Sequence, residues 1–366
     1  VTADQVKSTA LSGTESAARG SVYPENSDRL SMILFGHAAF QYLNAACELG
    51  LFDLLAEKGP LTGEEIRTAL DLEERACDIL LLGCAALRLI HRDGPVCRLS
   101  AEIGELMDRG EWTHIVNTVA FEQHIVYEGQ ADFTESLRRN TNVGLRRIPG
   151  EGKDLYPRLA QTPRLEEVFY RYMRSWSQLA NRHLVRHLDL SRSRTLLDCG
   201  GGDAVNAIAL ATANPQLRVT VLEIPSSVPV AEESIRQAGL EDRITVRGLD
   251  LFADPFPTGF DCVLFAHQLV IWTPEENTAL LRKAHDALAP GGRVAVFNSM
   301  SDDSGDGPLI AALDSVYFAA LPAEGGMIYP WSQHEASLRT AGFTGLRRIE
   351  LPTWTPHGIL IGTKAI

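Results

Sequence analysis

LLDCGGGDAVNAIAL, residues 196–210, joins a short apolar run, three consecutive glycines and an alanine-rich helical pattern. It predicts a strand, a tight turn and a helix. Gly200, Gly201 and Gly202 let the backbone turn sharply and approach a ligand with no Cβ in the way. Alone, such a turn also fits an ordinary connection or a nucleotide fold of another kind.

Working downstream, strand-like runs alternate with helical patterns: RVTVLEI, RITVRGLD, DCVLFAH and RVAVFNS. This alternation predicts a parallel sheet with helices on both faces over residues 193–366. The second strand ends in Glu223, about twenty residues beyond the glycines, where an acid accepts from both ribose hydroxyls of a nucleoside. The third runs into GLDLF, placing Asp250 at a strand end, where it can accept from an adenine amino group. The fourth ends at LFAHQ. Ligands of open α/β sheets sit outside the carboxyl ends of the strands, and these features converge there. The predicted cofactor-binding set is Asp198, Gly200, Gly201, Gly202, Glu223, Ile224, Asp250, Leu251, Phe252, Ala266 and His267, with Ser177 from the preceding helix.

Working upstream, residues 29–55 have apolar positions at helical spacing. Thr62 and Glu65 have the spacing of a capping box, so a helix starts there. ERACDILLLGCAALRLI reads as a buried helix, and HRDGPVCRLS as a hairpin turning at Asp93-Gly94. Helix, helix, helix, hairpin is the winged-helix order. Its second helix carries Glu64, Glu65, Glu73 and Glu74, which disfavours phosphate contact and suggests packing and dimerisation instead. The expected organisation is a loose arm over 1–27, a winged-helix-like dimerisation domain over 28–110, a helical lid region over 111–192 and the sheet domain over 193–366.

The net charge of -13 repels phosphate backbones and argues against a nucleic-acid partner. Arg138, Arg139, Arg146 and Arg147 are the candidate basic patch, read as a solvated loop rim because no aromatics interleave them. None of the six cysteines makes a C-x-x-C pair, and several lie in apolar runs, as expected of buried thiols in a reducing cytoplasm. Neither a signal peptide nor a membrane span is expected. No His/Asp/Glu cluster has ligand spacing, so no metal is expected.

The carboxyl-terminal half resembles class I S-adenosylmethionine-dependent methyltransferases. From about Arg29 the chain resembles the two-domain small-molecule O-methyltransferases of plants and actinobacteria. The resemblance rests on LLDCGGGDA, LEIPSSV, DRITVRGLDLF, WTPEEN, LLRKAHDALAPGGRVAVFNS and EASLRTAGF, in the family's order. It implies a Rossmann-like catalytic sheet, S-adenosylmethionine as cofactor with S-adenosylhomocysteine as product, an intertwined homodimer and a small aromatic substrate. Ala204 replaces a family glycine, tolerable if its φ is negative.

A second departure bears on the chemistry. Family members that methylate oxygen read LHDW after the fourth strand, the His acting as general base and a Glu after the fifth strand orienting it. Anchoring on Trp272 puts Val270 at the His position and Ile271 at the Asp position. VAVFNSM puts Asn298 at the Glu position. Base and orienter are both absent, which points to methylation at carbon or of an already acidic group. FAHQLVIWTPEEN also resembles aromatic C-methyltransferases such as the bacterial 3-hydroxykynurenine enzymes. His267 keeps a competing reading open, as a displaced base for O-methylation. A cofactor-binding winged-helix regulator without catalysis and a dehydrogenase also remain, the latter against the missing G-x-G-x-x-G spacing. Candidate substrate contacts are Phe121, His124, Tyr127, Met173, Trp176, Val270, Asn298, Asp314, Tyr317, Phe318 and Tyr329.

Overall fold

The computed structural model describes residues 25–366 apart from Pro352 and Trp354. The arm expected over 1–27 lies outside the described residues except for its last three, which open the helix Glu25–Leu34. Contacts divide the chain after Ala101 into two compact units, one helix earlier than the boundary expected at 110.

In the first unit, helices Gly36–Glu48 and Leu51–Lys58 precede a small antiparallel sheet of β1 (Leu61–Thr62), β2 (Ile90–Asp93) and β3 (Val96–Leu99), in the order β1-β3-β2. The capping box forms. Thr62 Oγ1 accepts from the Glu65 N–H, and Glu65 Oε2 accepts from the Thr62 N–H at 2.8 Å. Helices Gly63–Ala69 and Glu74–Ala86 complete a winged-helix arrangement. Leu30, Met32, Ile33, Leu34 and Phe35 are each more than half exposed, an apolar run that water alone does not favour.

The second unit is built on seven strands: β4 (Thr195–Cys199), β5 (Arg218–Glu223), β6 (Ile244–Gly248), β7 (Phe260–Ala266), β8 (Leu288–Ser299), β9 (Thr344–Glu350) and β10 (His357–Thr363). Their order is β6-β5-β4-β7-β8-β10-β9. The first five are parallel; β10 runs antiparallel between β8 and β9. Alternate residues pack to opposite faces. Leu196, Val219, Val221, Leu264 and Phe297 join one core with Ala180, Leu184 and Leu210. Leu197, Leu222, Val263, Phe265 and Val296 join another with Leu280, Leu281 and Leu338. Burial on both faces explains the nearly unbroken apolar runs.

The helix Pro163–His187 starts with proline at its first turn, where no N–H is needed, and buries Phe169, Tyr172, Trp176, Leu179, Ala180 and Leu184 at three- and four-residue spacing. It packs against helices Trp112–Phe121 and Val205–Ala213, so it links the helix Trp112–Phe121 to the helix that follows the glycine turn.

Arg138, Arg139, Arg146 and Arg147 are all exposed, as a solvated rim requires, and Arg146 and Arg147 also grip Asp132 in forked hydrogen bonds of 2.6–3.1 Å. Asp132 is buried, and hydrogen bonds from Arg147 and Arg146 hold its carboxyl well below the usual range. These two arginines thus also staple the segment after the helix Phe133–Arg139. Among the described residues no helix is long and apolar enough to cross a membrane, and no group of three or more His, Cys, Asp or Glu is placed to hold a metal.

Candidate active site

Strand order reverses between β4 and β7, which opens a crevice at their carboxyl ends. Asp198 lies there, paired in register with Val221 on one side and Leu264 on the other. It is fully buried, and neither carboxylate oxygen has a protein partner. Burial, reinforced by Glu223, pushes its carboxyl up to about 7. A buried acid without a donor is costly, so this one awaits a donor or cation.

The glycines follow. Gly200 and Gly202 have φ of +72° and +58°. At Gly201 a Cβ would lie 2.7 Å from Val221 Cγ1 and 2.8 Å from Asp198 Oδ2, so the turn is tight enough to exclude any side chain. Ala204, the residue before helix Val205–Ala213, has φ +64°. The condition of a negative φ is therefore not met: alanine sits in the left-handed region that glycine occupies freely.

Glu223 ends β5 and closes this cradle. Its Oε2 accepts from the Gly202 N–H at 2.7 Å and its Oε1 from the Ile224 N–H at 2.9 Å. Burial raises its pKa, and these two N–H groups pull it partly back. Arg174 bonds Asp203 and Ser234, tying the long helix to the turn; Ser177 is buried one helical turn on. Asp250 is exposed. Its Oδ1 caps the N–H groups of Phe252 and Ala253, and its own N–H donates to Asp254 Oδ2. Lys283 holds the carbonyls of Leu251, Phe252 and Asp254 from beneath. Phe252 meets Trp272 edge-on, the centroids 5.0 Å apart.

The other side of the crevice differs. Ala266 ends β7, buried, opposite Phe297. His267 follows at φ +59°, anchored by its N–H to the Phe297 carbonyl at 2.9 Å. Its Nε2 is buried without a partner, and burial pushes its pKa down to about 4, so the imidazole is neutral. Its ring meets that of His357 edge-on at 5.0 Å. His357 opens β10 opposite Ser299, its ring 5.2 Å from both Phe297 and Trp176. Both its nitrogens are buried and unpartnered, and burial holds its pKa well below the usual range. Asn298, fully buried beside Gly358 in the register, likewise has neither amide atom satisfied. Val270 and Ile271 are buried with Ala323 in an apolar cluster flanked by Tyr156, Trp272 and Phe318. The position of the family's base is a hydrophobic wall.

Several candidate substrate residues meet in one aromatic cluster. Phe121 stacks on Tyr172 at 3.8 Å and meets Tyr317 edge-on at 5.2 Å. Trp176 belongs to the same buried cluster, with Met173 and Phe318 packed against it. His124 is half-buried within the π-helical segment Glu122–Val126, and Tyr127 follows it. Asp314 is one turn before Tyr317 on helix Leu309–Ala320. Tyr329 stands apart: its hydroxyl donates towards the carbonyls of Trp272 and Gly325 and fixes that loop. Sequence reading missed His357 and Glu122. No local motif marks either one.

The fold and site define an S-adenosylmethionine-dependent methyltransferase. The chain belongs to the O-methyltransferase family: the O-methyltransferase domain matches residues 132–344 and the O-methyltransferase dimerisation domain residues 31–101. It is 60% identical to an L-tyrosine C(3)-methyltransferase of Streptomyces lavendulae over 343 residues, 93% of this chain and 94% of that protein. It is 30% identical to a 3-hydroxy-5-methyl-1-naphthoate 3-O-methyltransferase of Streptomyces sahachiroi, over 89% of this chain and 92% of that one. Among solved structures, the S-adenosylmethionine-dependent methyltransferase SibL in its apo form superposes with a TM-score of 0.83 at 52% identity, covering 92% of this chain and 99% of that one. Human N-acetylserotonin methyltransferase in complex with S-adenosylmethionine shares the fold, with a TM-score of 0.82 at 23% identity over 95% and 100% of the two chains.

Proposed function

We propose that this enzyme methylates a ring carbon of a free phenolic amino acid of the tyrosine type, ortho to the hydroxyl. The carrying observation is Val270, buried in an apolar wall where O-methylating relatives carry a base, with Asn298 lacking any group to orient. The relative that acts on L-tyrosine at C(3) matches nearly the whole chain and supports the same substrate class.

Bound S-adenosylmethionine supplies an electrophilic methyl group on a sulfonium. The residues fit it. Glu223 is set for the ribose hydroxyls, the second oxygen of Asp250 for the adenine amino group, and the unpartnered Asp198 for the ammonium of the amino-acid portion. The ring carbon ortho to the hydroxyl attacks in line. Bound there, the cofactor would give its methyl group to that carbon and leave as neutral S-adenosylhomocysteine. The proton on that ring carbon then leaves and aromaticity returns. Positioning supplies most of the acceleration, up to about 7–11 kcal/mol for well-aligned reactants. His267 and His357, kept neutral by burial, line this edge of the sheet, and a weak base or water suffices to take that proton.

We also read the amino-terminal unit as the contact of a homodimer, because its dimerisation domain leaves Leu30, Ile33, Leu34 and Phe35 exposed. The test is incubation with S-adenosylmethionine and L-tyrosine, with NMR of the product. An aryl methyl resonance is expected. A methoxy product would make His267 the leading base and O-methylation the activity. S-adenosylhomocysteine binding without turnover of any phenol would make the protein a regulator.

A further inference from the structure

Two acidic side chains outside the cofactor cradle have no role in the mechanism above. Glu122 opens a five-residue π-helical segment, a register shift that turns successive side chains to one side and recurs at functional sites. Asp314 lies on helix Leu309–Ala320. Both are half-buried, and neither has a Lys, Arg or His partner among the described residues. They lie within Coulombic reach of each other. Tyr172 and Tyr317 are both 5% exposed, neither hydroxyl makes a hydrogen bond among the described residues, and both hydroxyls feel the two carboxylates. Phe121, stacked on Tyr172 and edge-on to Tyr317, completes an aromatic wall. The ring contacts of Phe121 thus bring together the helix segments that carry Glu122, next to Phe121, and Asp314, one turn before Tyr317.

Two carboxylates in aromatic surroundings repel each other and lose hydration, which is costly unless a cation joins them. A primary ammonium matches the site. It brings three donors for the carboxylates and hydroxyls, and a charge that aromatic faces attract. We propose that Glu122 and Asp314 form the subsite for the α-ammonium of the amino-acid substrate and set the selectivity of this enzyme for amino acids over simple phenols. This rests on the phenolic amino-acid reading above, and it concerns recognition rather than methyl transfer.

The titratable groups facing the pair are Tyr172 and Tyr317, with Tyr156 beyond Tyr317, all raised by burial and therefore neutral. Burial, joined for Glu122 by Asp314, pushes both acids up to about 7. A bound cation favours their ionised forms, so ammonium binding releases protons and strengthens as pH rises from 6 to 8.

The experiment is calorimetric titration of the full chain, saturated with S-adenosylhomocysteine, with L-tyrosine, tyramine and 3-(4-hydroxyphenyl)propanoate. Wild type is expected to bind the two ammonium-bearing phenols at least about tenfold more tightly than the propanoate. Glu122→Gln and Asp314→Asn are each expected to weaken the first two by about 10- to 100-fold, to leave the propanoate unchanged or improved, and to reduce the pH dependence. Unchanged S-adenosylhomocysteine affinity shows that the variants are folded; a loss confined to that ligand would assign the pair to the cofactor and overturn the proposal. So would equal responses of ammonium-bearing and ammonium-free phenols, or failure of wild type to bind either amine. Product NMR on whichever phenol is turned over tests carbon methylation separately, so either reading can fail alone.

Discussion

The two sides of the crevice are finished differently. On the β4–β5 side, backbone N–H groups meet Glu223, Asp250 caps its own turn, and Lys283 closes the loop beneath. Only Asp198 is left without a partner among those acids. On the β7–β8–β10 side, His267, His357 and Asn298 all carry buried atoms with no partner, and Val270 and Ile271 make a smooth apolar wall. The contrast separates what is shared from what is particular. On the proposed reading, the cofactor side is built of backbone and acids whose own bonds are mostly made, and the substrate side offers buried polar atoms without partners beside an apolar wall.

The largest effects should come from removing the cradle acids. Glu223→Ala and Asp250→Ala are each expected to weaken S-adenosylhomocysteine binding by about 1–3 kcal/mol, roughly 5- to 150-fold. Glu223→Ala should fall at the upper end, because it also strips the Gly202 N–H of its acceptor. Calorimetry reads both, and unchanged affinity in the pair would place the cofactor elsewhere.

On the other side the expected effects are smaller. His267→Ala should lower kcat by about tenfold or less, against the roughly 10²–10⁴-fold typical of losing a general base. A full collapse of turnover with cofactor affinity intact would make His267 the base and erase the distinction drawn between the sides. Val270→His should not raise turnover or create a methoxy product, because the amide of Asn298 cannot hold an imidazolium as a carboxylate does. Appearance of methoxy product would show that only the base was missing.

The smallest effect concerns the cradle backbone. Ala204 bears a left-handed φ, a conformation that costs an L-residue about 1–2 kcal/mol. Glycine removes that strain but gains freedom in the unfolded chain, worth about 0.4–1 kcal/mol. Ala204→Gly should therefore raise Tm by about 2 °C in a thermal melt. A lower Tm would mean that the methyl packing of this buried alanine outweighs the strain.

Features carried within a few residues of one another were legible in the sequence. The capping box at Thr62, the hairpin turn at Asp93-Gly94, the glycine turn after β4 and the acids at the strand ends each follow from local spacing, because atoms within a turn or at a strand end meet whatever the rest of the chain does. The apolar character at 270 was legible too, since a valine side chain has no proton to exchange, and the structure buries it with Ile271 and Ala323. Tertiary structure alone decided the rest. The antiparallel docking of β10 against β8 puts His357 opposite Ser299 and against the ring of His267, across a span that no periodicity encodes. The packing of three helices brings Glu122 within electrostatic reach of Asp314, and the fold of the 140s loop turns Arg146 and Arg147 onto Asp132. Nor did the sequence reveal the φ of Ala204, because the residue that best suits that angle is the glycine this chain lacks. Local spacing says which groups can meet within an element. Which groups meet between elements depends on how apolar faces pack, and packing is a property of the whole chain.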